Sequence, residues 1–360
     1  MLSRINMLPL TQVAVLFLRL GAISFGGPAA HIALMEDEVV RRRRWLSHEE
    51  FMDLVGATNL IPGPNSTELA LHIGLRKAGW PGFFVAGGCF ILPATLIVIF
   101  CAWLYVRYGS LPEAGGILYG VKPVMIAVVL QALWALGRAA LKTKTLLLLA
   151  MTAATLNFLG VNELVILFGA GLLFAFTRSP FLRKSQTQYF SLAPLFLFFL
   201  KTGSVLFGSG YVLLAFLRAD LVERWHWLSE AQLLDAIAVG QFTPGPVFTT
   251  ATFIGYILAR TPGAIVATLG IFLPAFVFVA LSGPFIPRIR RSETAGAFLD
   301  AVNAASLALM AVVTWQLGHS ALVDATTLVL AVAGAIMLFR FRVNSAWIVL
   351  GGALVGLARI

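Results

Sequence analysis

Asn59-Leu60-Ile61-Pro62-Gly63-Pro64-Asn65-Ser66-Thr67-Glu68 and Gln241-Phe242-Thr243-Pro244-Gly245-Pro246-Val247-Phe248-Thr249-Thr250 are two versions of one stretch. Two prolines around a glycine interrupt a helix, because each proline lacks an amide donor and disfavours helical geometry in the residue before it. Both copies sit in apolar sequence. In hydrocarbon an open backbone survives only where protein or a water-lined cavity surrounds it. The two interruptions are therefore the first candidates for a site.

The surrounding composition sets the class. The 360 residues are 59% hydrophobic and 12% charged, about half the charged fraction of a soluble domain. Apolar runs such as Phe83–Val106, Leu192–Leu217 and Ala264–Leu281 reach the roughly 20 residues that span a bilayer. The expected fold class is an all-α polytopic membrane protein. The net charge of +10 fits Lys and Arg collected in cytoplasmic loops. The basic residues are scattered between apolar runs, which argues against nucleic-acid binding. Cys89 and Cys101 share one apolar run and imply no disulfide or metal site. No cleavable signal peptide is expected, since Met1–Leu10 carries one basic residue and no small-residue cleavage pattern follows. No Walker loop, dinucleotide fingerprint or nucleophile motif is present, and no cofactor is expected.

The chain is a duplication. Moving from Pro62 to Pro244 is a shift of 182 residues, and the same shift carries Phe17, Gly21, Phe25 and Gly26 onto Phe199, Gly203, Phe207 and Gly208. It also carries Trp45-Leu46-Ser47 onto Trp227-Leu228-Ser229 and Asp53 onto Asp235. After one gap the shift is 181, matching Leu92-Pro93-Ala94 to Leu273-Pro274-Ala275 and Trp134 to Trp315. The expected domains are residues 1–182 and 183–360, and secondary transporters are often built from such repeats. Each half reads as a first apolar segment (11–30, 193–216) and a broken segment (51–75, 231–258). Four further segments follow: 82–106, 117–137, 145–159 and 163–177 in the first half, and 263–286, 297–318, 325–339 and 345–358 in the second. An arginine-rich polar stretch to Ser47 separates the first two segments of the first half.

Charge decides between parallel and inverted halves. If every segment crosses, basic residues divide almost evenly between the two sides. If the Pro-Gly-Pro segments dip in and return, most of them, including Arg41–Arg44, Arg76, Lys77 and Arg138, fall on one side, as the positive-inside rule prefers. Residues 51–61 and 65–75 are each too short to span. The expectation is an inverted repeat of two five-crossing halves, each with a re-entrant Pro-Gly-Pro hairpin (Pro62, Gly63, Pro64; Pro244, Gly245, Pro246), and both termini outside.

Arg19 and Lys201 occupy matched positions inside apolar segments, where a charge costs at least about 2.5–3.5 kcal/mol. Together they suggest an anion site. The bland alternative is that each snorkels or pairs with a carboxylate. Asn65, Ser66 and Thr67, with Thr249 and Thr250 as weaker counterparts, suit the start of a half-helix that offers amides and a positive dipole end to an anion. The same hydroxyls suit an ordinary proline kink, bonded to the preceding turn. Gly26 and Gly27, like Gly208 in the second half, allow close backbone approach to a ligand or to another helix. Glu68 and His72 stand four apart on one helix face and form a candidate proton relay with no titratable counterpart in the second half. His31, Asp53 and Asp235 are further titratable candidates for coupling; His31 reads equally as a lone interfacial histidine, and Asp53 and Asp235 read rather as parts of helix starts capped by Ser47 and Ser229. Glu36-Asp37-Glu38 and Arg41–Arg44 read as an orienting, headgroup-touching stretch.

Phe25-Gly26-Gly27-Pro28, His31-Ile32-Ala33, Arg44-Trp45-Leu46-Ser47, Leu60-Ile61-Pro62-Gly63-Pro64 and Leu92-Pro93-Ala94 together resemble the signature of the chromate ion transporter family. Phe207-Gly208, Trp227-Leu228-Ser229, Pro244-Gly245-Pro246 and Leu273-Pro274-Ala275 resemble its second domain, so the resemblance covers nearly the whole chain. It implies a two-domain protein of the bacterial inner membrane that exports chromate, proton-coupled and not an enzyme. The second copy departs from the first, with Ser209-Gly210 in place of Gly27-Pro28 and no equivalent of Asn65 or Glu68. The expected partners are chromate or a similar oxyanion, such as sulfate, and the lipid bilayer, with a homodimer as a candidate assembly. A membrane enzyme acting on a lipid phosphate is the competing class, and it lacks the clustered catalytic groups it would need. Reporter tags after Trp45 and Ala78 should report one side of the membrane, and a tag after Trp227 the opposite side; tags at Trp45 and Ala78 on different sides would remove the hairpin.

Overall fold

The computed structural model describes residues 7–24, 27–58, 61–109, 111–141, 143–159, 161, 165–167, 169, 190–206, 213–282, 293–341, 343 and 345–359. All regular structure among them is helical. The first half contributes α1 (Met7–Ile23), α2 (Gly27–Glu36), α3 (His48–Thr58), α4 (Asn65–Tyr108), α5 (Pro112–Ala140) and α6 (Lys144–Phe158). The second contributes α7 (Leu192–Val205), α8 (Leu213–Phe216), α9 (Glu230–Phe242), α10 (Thr250–Ser282), α11 (Glu293–Ala321), α12 (Ala325–Phe339) and α13 (Ser345–Leu357). Four stretches among the described residues are long and apolar enough to cross a membrane, within α4, α5, α10 and α11. This is a polytopic membrane protein. The segment expected over 163–177 lies largely outside the described residues.

Two compact units form, and they are not the two halves of the sequence. The first takes residues 1–103, 195–210 and 243–286; the second takes 104–194, 211–242 and 287–360.

In the first unit the long helices fold back on themselves. α4 loses helical geometry at Ala78 and Gly79 (φ +62°), and α10 does so at Ala259 and Arg260 (φ +53°), the equivalent positions. The limbs on either side press together through glycines. A methyl group on Gly74 would lie 2.9 Å from the Gly82 carbonyl carbon, and one on Gly255 would lie 2.6 Å from that of Gly263. In one straight helix, positions eight apart would be about 12 Å apart along the axis, so α4 and α10 are each a tight helical hairpin. The first limb of α4, Asn65 to Lys77, is about 20 Å long, short of the roughly 30 Å hydrocarbon core. Around the first-half hairpin Val13, Leu16, Phe17, Leu69, Ile73 and Phe90 are fully buried.

One expectation needs correction. The first apolar segment, read as continuous over 11–30, is two helices: α1 stops at Ile23, and α2 starts at Gly27 with φ +75°. Part of the arginine-rich stretch read as polar linker is also wound, as a π-helical turn over Asp37–Arg42 that recurs over Leu217–Arg224.

In the second unit α5 packs on α12 and α13, and α11 packs on α5 and α6. The repeat shift carries α5 to α11 and α6 to α12, so each half's long helix meets the other half's short one. Small residues set the closest crossing. A methyl on Gly352 would sit 2.5 Å from the Gly120 carbonyl oxygen and 2.9 Å from Val124 Cγ2, and one on Gly356 would sit 2.9 Å from the Gly116 carbonyl carbon. Asp324 caps α12, takes hydrogen bonds from the Tyr119 hydroxyl at 2.6 and 2.7 Å, and pairs with Arg359 at 2.6 Å. Gly351, one residue from the crossing, has nothing within 4 Å of an added methyl. Gly352→Val should therefore destabilise the detergent-solubilised protein by about 1–3 kcal/mol in a thermal-unfolding series, whereas Gly351→Val should leave its midpoint unchanged.

Candidate functional site

The two interruptions lie in the first unit, and each is anchored on the other half of the chain. Gly63 takes φ +142° and donates its amide to the Leu206 carbonyl at 2.7 Å; Gly245 takes φ +91° and donates to the Ser24 carbonyl at 2.9 Å. Ser24 and Leu206 directly follow α1 and α7 and are themselves related by the shift of 182. A helix C-terminus leaves carbonyls without intrahelical partners, and here a glycine amide from the opposite half satisfies one at each end. Leu-Pro-Ala of each half lies behind the opposite glycine. A methyl on Gly63 would be 3.7 Å from Ala275 Cβ, and one on Gly245 would be 2.5 Å from Ala94 Cβ.

The helices leading in are capped alike. Ser47 and Glu50 exchange hydrogen bonds of 2.8 and 3.1 Å, and Ser229 and Gln232 exchange bonds of 2.9 and 3.2 Å; such caps stabilise by about 1 kcal/mol. The serines act as expected. Of the two aspartates that follow them, Asp53 is exposed on α3 and Asp235 is buried on α9.

Beyond the first interruption the Thr67 and Glu68 amides both bond the Pro64 carbonyl, at 2.7 and 3.0 Å. Ser66, Thr67 and Glu68 are buried and Asn65 is half-buried. Glu68 has no exposed surface, and neither carboxyl oxygen has a hydrogen-bond partner. Its Oε1 occupies the space that a side chain at Gly63 would fill, which explains the glycine independently of its φ. Thr67 Oγ1 and His72 Nε2 are also buried and unpartnered. Glu68 and His72 share a face, but no hydrogen bond joins them.

The second copy differs chemically. Thr249 donates its hydroxyl to the Pro246 carbonyl and Thr250 to the Val247 carbonyl, both at 2.8 Å, so these protons are committed to the preceding turn. On the α1 side, His31 Nε2 meets the Ser24 carbonyl at 3.1 Å. Because a carbonyl only accepts, Nε2 carries the proton, which leaves Nδ1 buried and unpartnered, as is the Ser24 hydroxyl. Buried polar atoms without partners are rare enough to need explanation by water, ion or function. In this unit five such residues (Ser24, His31, Thr67, Glu68 and His72) flank the helix interruptions.

The two predicted cations sit differently. The Arg19 side chain is 54% exposed and pairs with Glu38 at 3.5 Å. Lys201 is half-buried, its ammonium 5.7 Å from the Phe198 ring centroid. Gly27 opens α2, while Gly26 and Gly208 lie outside the described residues. Sequence reasoning missed what Glu38 does. It is buried and gathers Arg19, Arg42 and Arg43, at 3.5, 3.5 and 3.1 Å. The same pair recurs as Asp220 with Arg224 at 2.6 Å. The shift of 182 maps Glu38 to Asp220 and Arg42 to Arg224, so the signal was available.

Comparison with known proteins agrees with this duplicated frame. The sequence pattern of the family described as "Chromate transporter" matches residues 11–175 and again 193–357. The chain belongs to the chromate transporter family. This is a family of transporters, not enzymes. The chain is 32% identical over 371 residues to a chromate transport protein of Cupriavidus metallidurans, covering 97% of this chain and 92% of that one. It is 30% identical to a probable chromate transport protein of Synechococcus elongatus (91% and 89% covered) and 29% identical to a chromate transport protein of Pseudomonas aeruginosa (86% and 81%). No solved structure matches the chain.

Gly63→Ala should destabilise by about 1–3 kcal/mol, through forced positive φ and the clash with Glu68. Glu68→Ala in the same chain should return at least about 0.5 kcal/mol of that, as coupled neighbours do; additive costs in the double-mutant cycle would show that the two do not touch.

Proposed function

We propose that this protein exports chromate, or an oxyanion of the same shape and charge, across the bacterial inner membrane by proton-coupled alternating access. The observation that carries the reading is the reciprocal anchoring of the two interruptions beside an unpartnered, fully buried Glu68. Contacts exchanged between equivalent residues are the mark of a two-fold relation. The short limbs around each interruption and the one-sided distribution of basic residues favour a two-fold axis in the membrane plane. That arrangement is an inverted repeat with the Pro-Gly-Pro segments as re-entrant hairpins.

In this reading the anion binds near the interruptions, where Asn65, Ser66, Thr67 and the Gly26-Gly27 backbone supply donors. Thr67 has a hydroxyl free to donate; Thr249 and Thr250 shape the opposite wall with their hydroxyls already engaged. Arg19 and Lys201 set positive potential at the two mouths, and the Glu38 cluster holds Arg19 in place. Glu68 takes up a proton on one side and releases it on the other, with His72 one turn along the same face. Protonation of Glu68 or His72 assists the exchange between the two access states. The relatives named as chromate transport proteins support the substrate.

Everted vesicles containing the protein should accumulate chromate, accumulation should collapse with the pH gradient, and excess sulfate should compete only if the site reads shape and charge alone. Glu68→Gln should cut gradient-driven accumulation at least about tenfold with normal membrane insertion. Uptake that ignores the gradient would remove the coupling, and absence of uptake would remove the substrate.

A further inference from the structure

The second unit holds an ionic centre that plays no part in the site above. Lys122 lies in the middle of the 20-residue apolar stretch Pro112–Gln131 of α5. Its ammonium is 2.8 Å from Asp235 Oδ1, and the Tyr105 hydroxyl donates to Asp235 Oδ2 at 2.8 Å. The side chains are 20% exposed for Lys122 and 5% for Asp235. Three helices thus converge on one carboxylate: α4 through Tyr105, α5 through Lys122 and α9 through Asp235.

A purely structural role is a poor account of this cluster. Burying an ion pair costs several kcal/mol per charge, and apolar residues of similar size would hold the helices together as well or better. Ionisable groups inside membrane helices mark ion and proton pathways. The duplication sharpens the point. The capping boxes, the acid–base π-turns, the kinks and the glycine contacts all occur twice. Among the described residues this centre is found in the second unit alone: Asp53 is exposed, and the repeat shift carries Lys122 to Asn303 and Tyr105 to Ile286.

Asp235 also stands two helical turns ahead of Thr243-Pro244-Gly245-Pro246 on α9. α9 ends at Phe242, so the chain runs from it directly into the second interruption. Among the elements packed on α9, the turn over Leu217–Arg224 carries Asp220, already paired with Arg224, and Glu223, paired with Arg218. α11 carries Glu293, Asp300 and His319, and α13 has no charged residue. Lys122 and Tyr105 are the groups in contact with the carboxylate.

We propose that Asp235 is a second proton-exchanging carboxylate, with Lys122 as its resident counter-ion and Tyr105 as its clamp, coupling proton movement to the second Pro-Gly-Pro interruption. A proton arriving from the aqueous side adds to Oδ1 and displaces the Lys122 ammonium, which keeps its charge. The centre passes from neutral to singly positive while it holds the proton. Release of the proton to the other side re-forms the pair. The proposal rests on the transport reading above, and its test separates the two.

Wild type, Asp235→Asn, Lys122→Gln, Asp235→Asn/Lys122→Gln and Tyr105→Phe are reconstituted in liposomes. Each is assayed for tracer chromate exchange without a pH gradient and for accumulation driven by one. Asp235→Asn and the double variant should keep exchange while losing accumulation at least about tenfold, and Tyr105→Phe should shift the pH dependence of accumulation. A double variant that still accumulates like wild type would reduce the pair to packing, and inserted variants that lose exchange and accumulation equally would overturn the coupling role. A measurement that needs no substrate decides the case if wild type moves no chromate. Dicyclohexylcarbodiimide, which adds to protonated buried carboxyls, should label Asp235 increasingly as pH falls, and more readily in Lys122→Gln. An Asp235 that stays unlabelled in both at every pH overturns the proposal.

Discussion

A peptide amide in a water-free interior must find an acceptor, and a helix that stops there must find donors for its last carbonyls. Those two needs are met by the same hydrogen bond, made twice. Gly63 satisfies the end of α7 through Leu206, and Gly245 satisfies the end of α1 through Ser24. Pro-Gly-Pro can be tolerated in each half because the other half supplies its partner. Neither half of the duplication is complete in this sense by itself. The glycines serve this geometry in two ways: each takes a positive φ, and each admits a neighbour where a side chain would stand, Glu68 at Gly63 and Ala94 at Gly245.

The same dependence explains where the polar atoms lie. With the backbone donors and acceptors at the interruptions matched to each other, the side chains that flank them remain unclaimed: Ser24, His31, Thr67, Glu68 and His72. Their asymmetry carries chemical meaning. The second half places Leu213, Thr249 or Thr250, and Phe253 where the first has His31, Glu68 and His72, and its threonine hydroxyls bond their own backbone. The first half keeps Thr67, Glu68 and His72 open after its interruption, whereas the threonines after the second are closed on their own turn and Gln241 before it keeps an unpartnered Nε2. Beside its interruption the second half holds a buried carboxylate at Asp235, before the break instead of after it.

Membership of the chromate transporter family and the polytopic helical class agree with the order of motifs in the chain. Other readings changed in weight. Arg19, taken from its apolar setting as a buried cation, reaches far enough to be more than half exposed and to share Glu38 with two further arginines. Hydropathy averages over a residue's neighbours in sequence, whereas a long arginine stem carries its charge to a different depth. Asp235 was read beside Asp53 as a titratable candidate and, in preference, as a repeated helix-start residue. The duplication made the two look alike, and the partners that distinguish them lie 113 and 130 residues away in sequence, at Lys122 and Tyr105.

The sequence by itself determined the helical membrane class, the duplication, the positions of the interruptions and the capping serines. These follow from composition, from residue spacing and from the conformational limits of proline and glycine, all of which act locally. The tertiary structure alone decided that α4 and α10 double back at Gly79 and Arg260, that compact units draw on both halves, and which polar groups go unpartnered. Those outcomes depend on pairings between residues far apart in the chain, and no local pattern encodes which carbonyl an amide will find.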